Sequence, residues 1–114
     1  MITIWHNPRC SKSRAALKLI EDSGQPVTVR RYLDDAPSRE ELAAAHRALG
    51  TPPMIEMMRR GEAPFKKLGL SADSSDDALL DAMAAYPVLI ERPIVFAQGA
   101  ATIGRPPEAI LPLL

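Results

Sequence analysis

Cysteine is nearly missing from this chain: Cys10 stands alone among 114 residues. A single cysteine excludes an internal disulfide, a multi-cysteine zinc site and a self-contained Cys-x-x-Cys redox pair, so a redox role for Cys10 requires a thiol borrowed from outside. An excess of either charge is missing too. Fourteen Lys and Arg balance fourteen Asp and Glu, which leaves no global field to gather nucleic acid or a membrane surface, and any anion affinity has to be local. No apolar run approaches the roughly 20 residues of a membrane helix. Met1-Ile2-Thr3 enters a strand pattern directly, without the basic and then long apolar segments of a signal peptide. These absences lead us to expect a cytoplasmic protein with no membrane or nucleic-acid partner. No repeat, linker or low-complexity stretch divides the chain, and its length suits one core, so one domain over residues 1–114 is expected.

The patterning that is present alternates strands with helices. Ile2-Thr3-Ile4-Trp5 reads as a short strand, and Ala16, Leu17 and Ile20 fall at helical spacing within 15–22 before Ser23-Gly24 stops the helix. Val27 to Tyr32 reads as a second strand, giving a parallel β-α-β unit whose first loop lies at the carboxyl end of the first strand, where ligands usually bind. A helical block follows. Ser38-Arg39-Glu40-Glu41 is a capping box opening a helix through Leu42, Ala45 and Leu49 to Gly50, with His46 on its surface. Met54, Ile55, Met57 and Met58 form the apolar face of a short helix, Pro64 to Leu68 forms a helical turn, and Ser74 opens a helix carrying Leu79, Leu80 and Met83. The methionines suit a core. A strand then begins near Pro93, Gln98-Gly99 turns, Thr102-Ile103-Gly104 forms a shorter strand, and Pro106-Pro107-Glu108 opens a last helix carrying Ala109, Ile110 and Leu113. The expected fold class is α/β: a mixed sheet in the order β-α-β, helical insertion at about 38–86, then β-β-α.

The chemistry concentrates in His6-Asn7-Pro8-Arg9-Cys10-Ser11-Lys12-Ser13-Arg14, between the first strand and the first helix. A thiol at its reference pKa of about 8.5 is only a few per cent thiolate at neutral pH. The start of a helix offers free N–H groups and a positive dipole end that favour an anion, either the thiolate itself or an oxyanion beside it. The polar neighbours of Cys10 mark a reactive thiol rather than a core cysteine. Ten of the fourteen cations are arginine, the side chain that binds oxyanions through paired hydrogen bonds.

Several spaced motifs, His6-Asn7-Pro8-x-Cys10, Pro64-x-x-x-Leu68-Gly69-Leu70, Arg92-Pro93-Ile94-Val95 and Gly104-Arg105-Pro106-x-Glu108, together resemble the glutaredoxin-linked arsenate reductase family from Ile2 to the final helix. The resemblance implies a thioredoxin-like sheet with a helical insertion. It also implies that Cys10 attacks the arsenic of arsenate, that His6 lowers the cysteine pKa, and that Arg92, Arg105 and Arg59 bind the oxyanion, with Arg60 the alternative to Arg59. Pro93 resembles the cis-proline that faces the cysteine in such folds. Arsenate, glutathione and glutaredoxin are the implied partners, with glutathione a thiol co-substrate, no bound cofactor and no metal; a monomer is expected.

The chain departs from the better-known branch in one place: Ser11-Lys12 stands after Cys10 where that branch has Gly-Thr. The changed loop leaves open a glutaredoxin-like thiol oxidoreductase acting on another substrate. A related non-catalytic class, the Spx-type regulators that bind RNA polymerase, commonly switches through a second cysteine at the position held here by Ser13.

Overall fold

The computed structural model describes all of residues 1–114. Its elements are β1 (Ile2–Trp5), α1 (Ser11–Asp22), β2 (Val27–Arg30), α2 (Arg39–Ala48), α3 (Ala63–Lys67), α4 (Asp76–Ala85), β3 (Ile94–Ala97) and β4 (Ala100–Ile103), with 3-10 segments at Met54–Met57, Pro87–Leu89 and Pro107–Leu113. The chain divides into two compact units, one of Met1–Asp35 with Arg92–Leu114 and one of Ala36–Glu91.

In the first unit four strands form one sheet in the order β2-β1-β3-β4. β1 runs parallel to β2 and antiparallel to β3, and β3 and β4 are antiparallel. This is the mixed α/β sheet of a thioredoxin-like fold. Ile2 and Ile4, two residues apart and therefore on one face of β1, pack with Val95 and Ala97 of β3, with Ala16 and Ile20 of α1 and with Ile110. Burying each of the larger aliphatic side chains is worth about 1.5–3 kcal/mol, so this cluster ties α1 and the C-terminal segment to the sheet. Trp5 and Phe96 meet with ring centroids 4.9 Å apart.

Several boundaries differ from the expectation. α1 starts at Ser11, well before the apolar spacing begins, because its first turn carries Ser11, Lys12 and Arg14 on the exposed side. β2 ends at Arg30, and Tyr32 lies beyond it in a turn, fully buried. β4 begins at Ala100: Gln98 (φ 52°) and Gly99 (φ 82°) make a two-residue turn with both residues left-handed, the geometry that matches strand twist in a tight hairpin. The last segment is a 3-10 helix because Pro112 inside it has no N–H to donate and its ring opposes a regular α turn.

In the second unit, the capping box at Ser38 forms as expected, with Glu41 N–H donating to Ser38 Oγ at 3.1 Å and Ser38 N–H to Glu41 Oε1 at 3.0 Å. The cap of α4 is Ser75, whose Oγ accepts from Ala78 N–H, rather than Ser74. Leu42, Ala45, Leu79 and Met83 are buried where α2 and α4 pack. Met54, Met57 and Met58 are buried too, and His46 is half-buried, its ring hydrogen-bonded to the Pro52 carbonyl. The short methionine helix stops at Met57 because Met58 turns extended and bridges antiparallel to Ile90. No helix of the protein is long and apolar enough to cross a membrane.

Candidate active site

The loop between β1 and α1 is built from its own backbone. His6 N–H donates to the Arg30 carbonyl at 2.8 Å, which extends the β1–β2 pairing one step past Trp5. Asn7 then turns the chain: its side-chain oxygen accepts from Arg9 N–H and its carbonyl from Cys10 N–H, both at 3.0 Å. Cys10 is left in an extended conformation as the N-cap of α1, and its carbonyl accepts the first helical bond from Arg14 at 3.0 Å.

A sulfur at the N-cap faces the first-turn N–H groups. Burial pushes the Cys10 thiol up, but the N–H groups of Ser13 and Lys12 and the hydrogen bond and charge of Arg92 outweigh it, and the pKa is held below the ordinary thiol value. The neutral thiol makes no cap hydrogen bond of strict geometry; the two N–H groups favour the sulfur chiefly as thiolate, whose full charge they reach at longer range. Arg105 Nη2 lies 3.6 Å from Cys10 Sγ, and Arg105 Nε donates to the Arg92 carbonyl at 2.8 Å. Arg92 supplies a hydrogen bond and charge that depress the thiol, and Arg105 Nη2 stands within hydrogen-bond reach of the sulfur.

Arg92 and Arg105 come from opposite ends of the β3–β4 hairpin. Gly104 N–H donates to the Pro93 carbonyl at 2.9 Å, so the residues flanking that bond, Arg92 before Pro93 and Arg105 after Gly104, emerge together. The Arg92–Pro93 peptide is cis, as the resemblance suggested; Arg105–Pro106 is cis as well, which the sequence did not signal.

His6 is 5% exposed and its Nδ1 is 2.7 Å from Ser13 Oγ, which also accepts from Asn7 N–H at 3.0 Å. Burial lowers the His6 pKa, and the charges of Arg31 and Arg14 lower it further, so the ring is neutral near pH 7. The ring's bond to Ser13 reaches the residue whose N–H faces the sulfur. His6, Asn7 and Ser13 are the buried polar residues of the molecule. Ser13 and Gly104 were missed as site residues from sequence. The available signals were the three-residue spacing of Ser13 from an N-cap cysteine, and a glycine directly before a site arginine.

Arg59 belongs to the helical unit and is half-buried. Its Nε lies 3.3 Å from Glu62 Oε1 and its Nη1 3.0 Å from Glu91 Oε1. Arg60 beside it is exposed. No group of three or more His, Cys, Asp or Glu side chains converges as a metal site would need. The structure thus gathers Cys10, Arg92 and Arg105, with His6 one hydrogen bond removed through Ser13: a thiolate flanked by cations, able to act as a nucleophile on an electrophile that carries negative oxygens.

Residues 5–113 match the ArsC family. The chain belongs to the ArsC family. Among ArsC-family relatives, an arsenate reductase of Neisseria meningitidis is 50% identical over 110 residues, 96% of this chain and 94% of that protein. The uncharacterized protein YfgD of Escherichia coli is 43% identical over 114 residues, 99% of this chain and 96% of its own. A solved arsenate reductase from Vibrio cholerae superimposes with a TM-score of 0.95 at 48% identity, covering 99% of this chain and 97% of the other.

Proposed function

We propose that the protein reduces arsenate to arsenite through a covalent Cys10–arsenic intermediate, with glutathione and then glutaredoxin supplying the remaining thiols. The observation that carries this is the cysteine at the α1 N-cap, its pKa lowered by the Ser13 and Lys12 N–H groups and Arg92 against the opposing effect of burial, with Arg105 3.6 Å from the sulfur. Relatives named arsenate reductase at 48–50% identity over nearly the whole chain support the same substrate.

In this reading the Cys10 thiolate attacks arsenic and an arsenate oxygen leaves as water after taking up protons. Arg92 and Arg105 meet the charge on the remaining oxygens, with Arg59 as the third group on the strength of the family resemblance. A glutathione thiol then joins, and a sulfur–sulfur bond forms as arsenic passes from As(V) to As(III). Overall one arsenate and two thiols give arsenite, one disulfide and water, a two-electron change that a chain with one cysteine cannot complete alone. His6 acts as a neutral group that fixes Ser13, and through it the N–H aimed at the sulfur. The deciding experiment is arsenate-dependent consumption of reducing equivalents with glutathione, glutaredoxin and their reducing system. Turnover is expected, lost in Cys10→Ser; a rate untouched by that substitution would overturn the reading.

One observation keeps a second reading in view: the similarity to YfgD, whose function its name leaves open, spans 99% of the chain. A glutaredoxin-like oxidoreductase on another substrate would reduce glutathione mixed disulfides in the same apparatus while arsenate neither competed nor turned over.

A further inference from the structure

The cations of the sheet unit fall into distinct sets. Lys18 is paired with Asp22 at 3.1 Å and Arg30 with Asp35 at 3.3 Å. Arg9, Lys12, Arg14 and Arg31, by contrast, are exposed and form no ion pair with a carboxylate. All four lie at the end of the sheet that carries the thiol. Arg9 directly precedes Cys10, and Lys12 turns its backbone N–H to the sulfur while the residue stays exposed. Arg14 reaches back to the Pro8 carbonyl at 3.0 Å, on the exposed side of the loop. Arg31 follows Arg30, whose carbonyl takes the His6 N–H, so it leaves the parallel β1–β2 pair at the same end. The charges of Arg31 and Arg14 are both felt at the buried His6 ring, ahead of the opposing charge of Glu21.

Like charges gathered without counter-ions repel one another and add nothing to the fold, but they draw in an anion from outside. A compact tetrahedral anion at the sulfur is met by Arg92 and Arg105, which stand beside it. An exposed rim suits a longer anion whose charges lie apart from its reacting atom. Glutathione has that form: its thiol is on the middle residue, and each terminal residue carries a carboxylate. We propose that Arg9, Lys12, Arg14 and Arg31 form a docking rim for the carboxylates of this co-substrate and hold its sulfur at Cys10. The proposal rests on the reading above that a glutathione thiol joins at Cys10. Arg9 and Lys12, the nearest to the sulfur in sequence, are its specificity-determining members. Lys12 in the loop then serves the thiol donor rather than arsenate.

Thiol–disulfide exchange tests this without arsenate. The Cys10 thiolate attacks one sulfur of glutathione disulfide, the sulfur–sulfur bond breaks, a glutathione thiolate leaves and a mixed disulfide remains, read by mass spectrometry. The same exchange with uncharged bis(2-hydroxyethyl) disulfide gives a reference rate, and the ratio of the two rates cancels any change in thiolate content. In the full chain, Lys12→Gln and Arg9→Gln should each lower that ratio about two- to fivefold, and the double variant should lower it further. The wild-type ratio should also fall as salt is added. Lys18→Gln removes the same charge from a paired site and should leave the ratio unchanged. A ratio equal in the wild type and the double variant would overturn the proposal, and so would a fall in Lys18→Gln as large as in Lys12→Gln, which would trace the preference to net charge. Arsenate turnover with an insensitive ratio defeats this proposal alone. A ratio that responds as expected, without arsenate turnover, supports the rim and defeats the reductase reading alone.

Discussion

The two units of the chain hold their arginines in different ways. In the sheet unit, Arg105 donates to the Arg92 carbonyl and Arg14 to the Pro8 carbonyl, while Arg30 donates to the Asp35 carbonyl and also lies 3.3 Å from the Asp35 carboxylate. In the helical unit, Arg39 is anchored on Asp77 and Asp81, and Arg59 on Glu62 and Glu91. A carbonyl oxygen orients a guanidinium and leaves its charge intact, while a carboxylate orients it and cancels the charge. The totals agree: the sheet unit carries eight Lys and Arg against five Asp and Glu, formally +3, and the helical unit six against nine, formally −3. A chain of net charge zero thus keeps usable positive charge around its one thiol. The local arrangement, rather than arginine content, equips it for anion chemistry.

The largest effects should come from the sheet unit. Cys10→Ser is expected to abolish arsenate turnover, since a hydroxyl neither ionises near neutral pH nor accepts arsenic as a thiolate does. Arg92→Gln should follow with a loss of about 10²-fold in kcat/KM for arsenate, the scale of losing one preorganised donor to developing charge. It should also raise the Cys10 pKa, read from the pH profile of iodoacetamide alkylation; Arg105→Gln should raise it less. A profile in Arg92→Gln identical to the wild type would break the link between the arginines beside Cys10 and sulfur reactivity.

Acid should weaken the same loop. Cys10 has a depressed pKa in the folded state, so its contribution to stability is complete above the unfolded-state thiol value and is lost as pH falls through the folded value. His6 is likewise depressed, so the unfolded chain takes up its proton first, and stability drops as pH falls from 6.5 toward the folded His6 value. Both terms have the same sign. Urea unfolding midpoints should decline from pH 8 to pH 5, and Ser13→Ala, which removes the partner of the buried ring, should lower the midpoint at pH 8; a flat pH dependence would contradict both assignments.

Much of this was legible in the sequence, and what was not has physical reasons. The β-α-β start, the capping box at Ser38 and the Gln98-Gly99 turn are local patterns whose chemistry sits within a few residues. The start of α1 was hidden because its first turn carries exposed Ser11, Lys12 and Arg14 and no apolar stripe. Cys10 and the arginines stood out through motif spacing; Glu62 and Glu91 did not, because the pairing of residues 32 apart in Arg59 and Glu91 depends on a backbone bridge no short-range pattern encodes. Gly104 was legible as a motif residue but not as a contact. A Cβ there would stand 2.7 Å from Pro93 Cγ and 3.5 Å from Ala16 Cβ. Because the proline ring cannot swing aside, Gly104→Ala should cost about 1–3 kcal/mol. It should also raise the thiolate pKa by disturbing Arg92 and Arg105 together, an outcome that simple loss of stability would not produce.

The smallest effect expected is at the most conspicuous ion-pair network. Arg39 joins α2 to α4 through Asp77 at 2.7 Å and Asp81 at 2.6 Å, shorter contacts than any made by Arg59. Its side chain is nevertheless 44% exposed, and those of Asp77 and Asp81 are 85% and 67% exposed. Water screens such pairs and ordering the long Arg39 side chain offsets what attraction remains, so short distances overstate their worth. Arg39→Gln should move the melting temperature by only a few degrees, and it should leave the iodoacetamide alkylation profile of Cys10 as it is; a shifted profile would mean that the charge of the whole chain, rather than the groups around the sulfur, sets its reactivity.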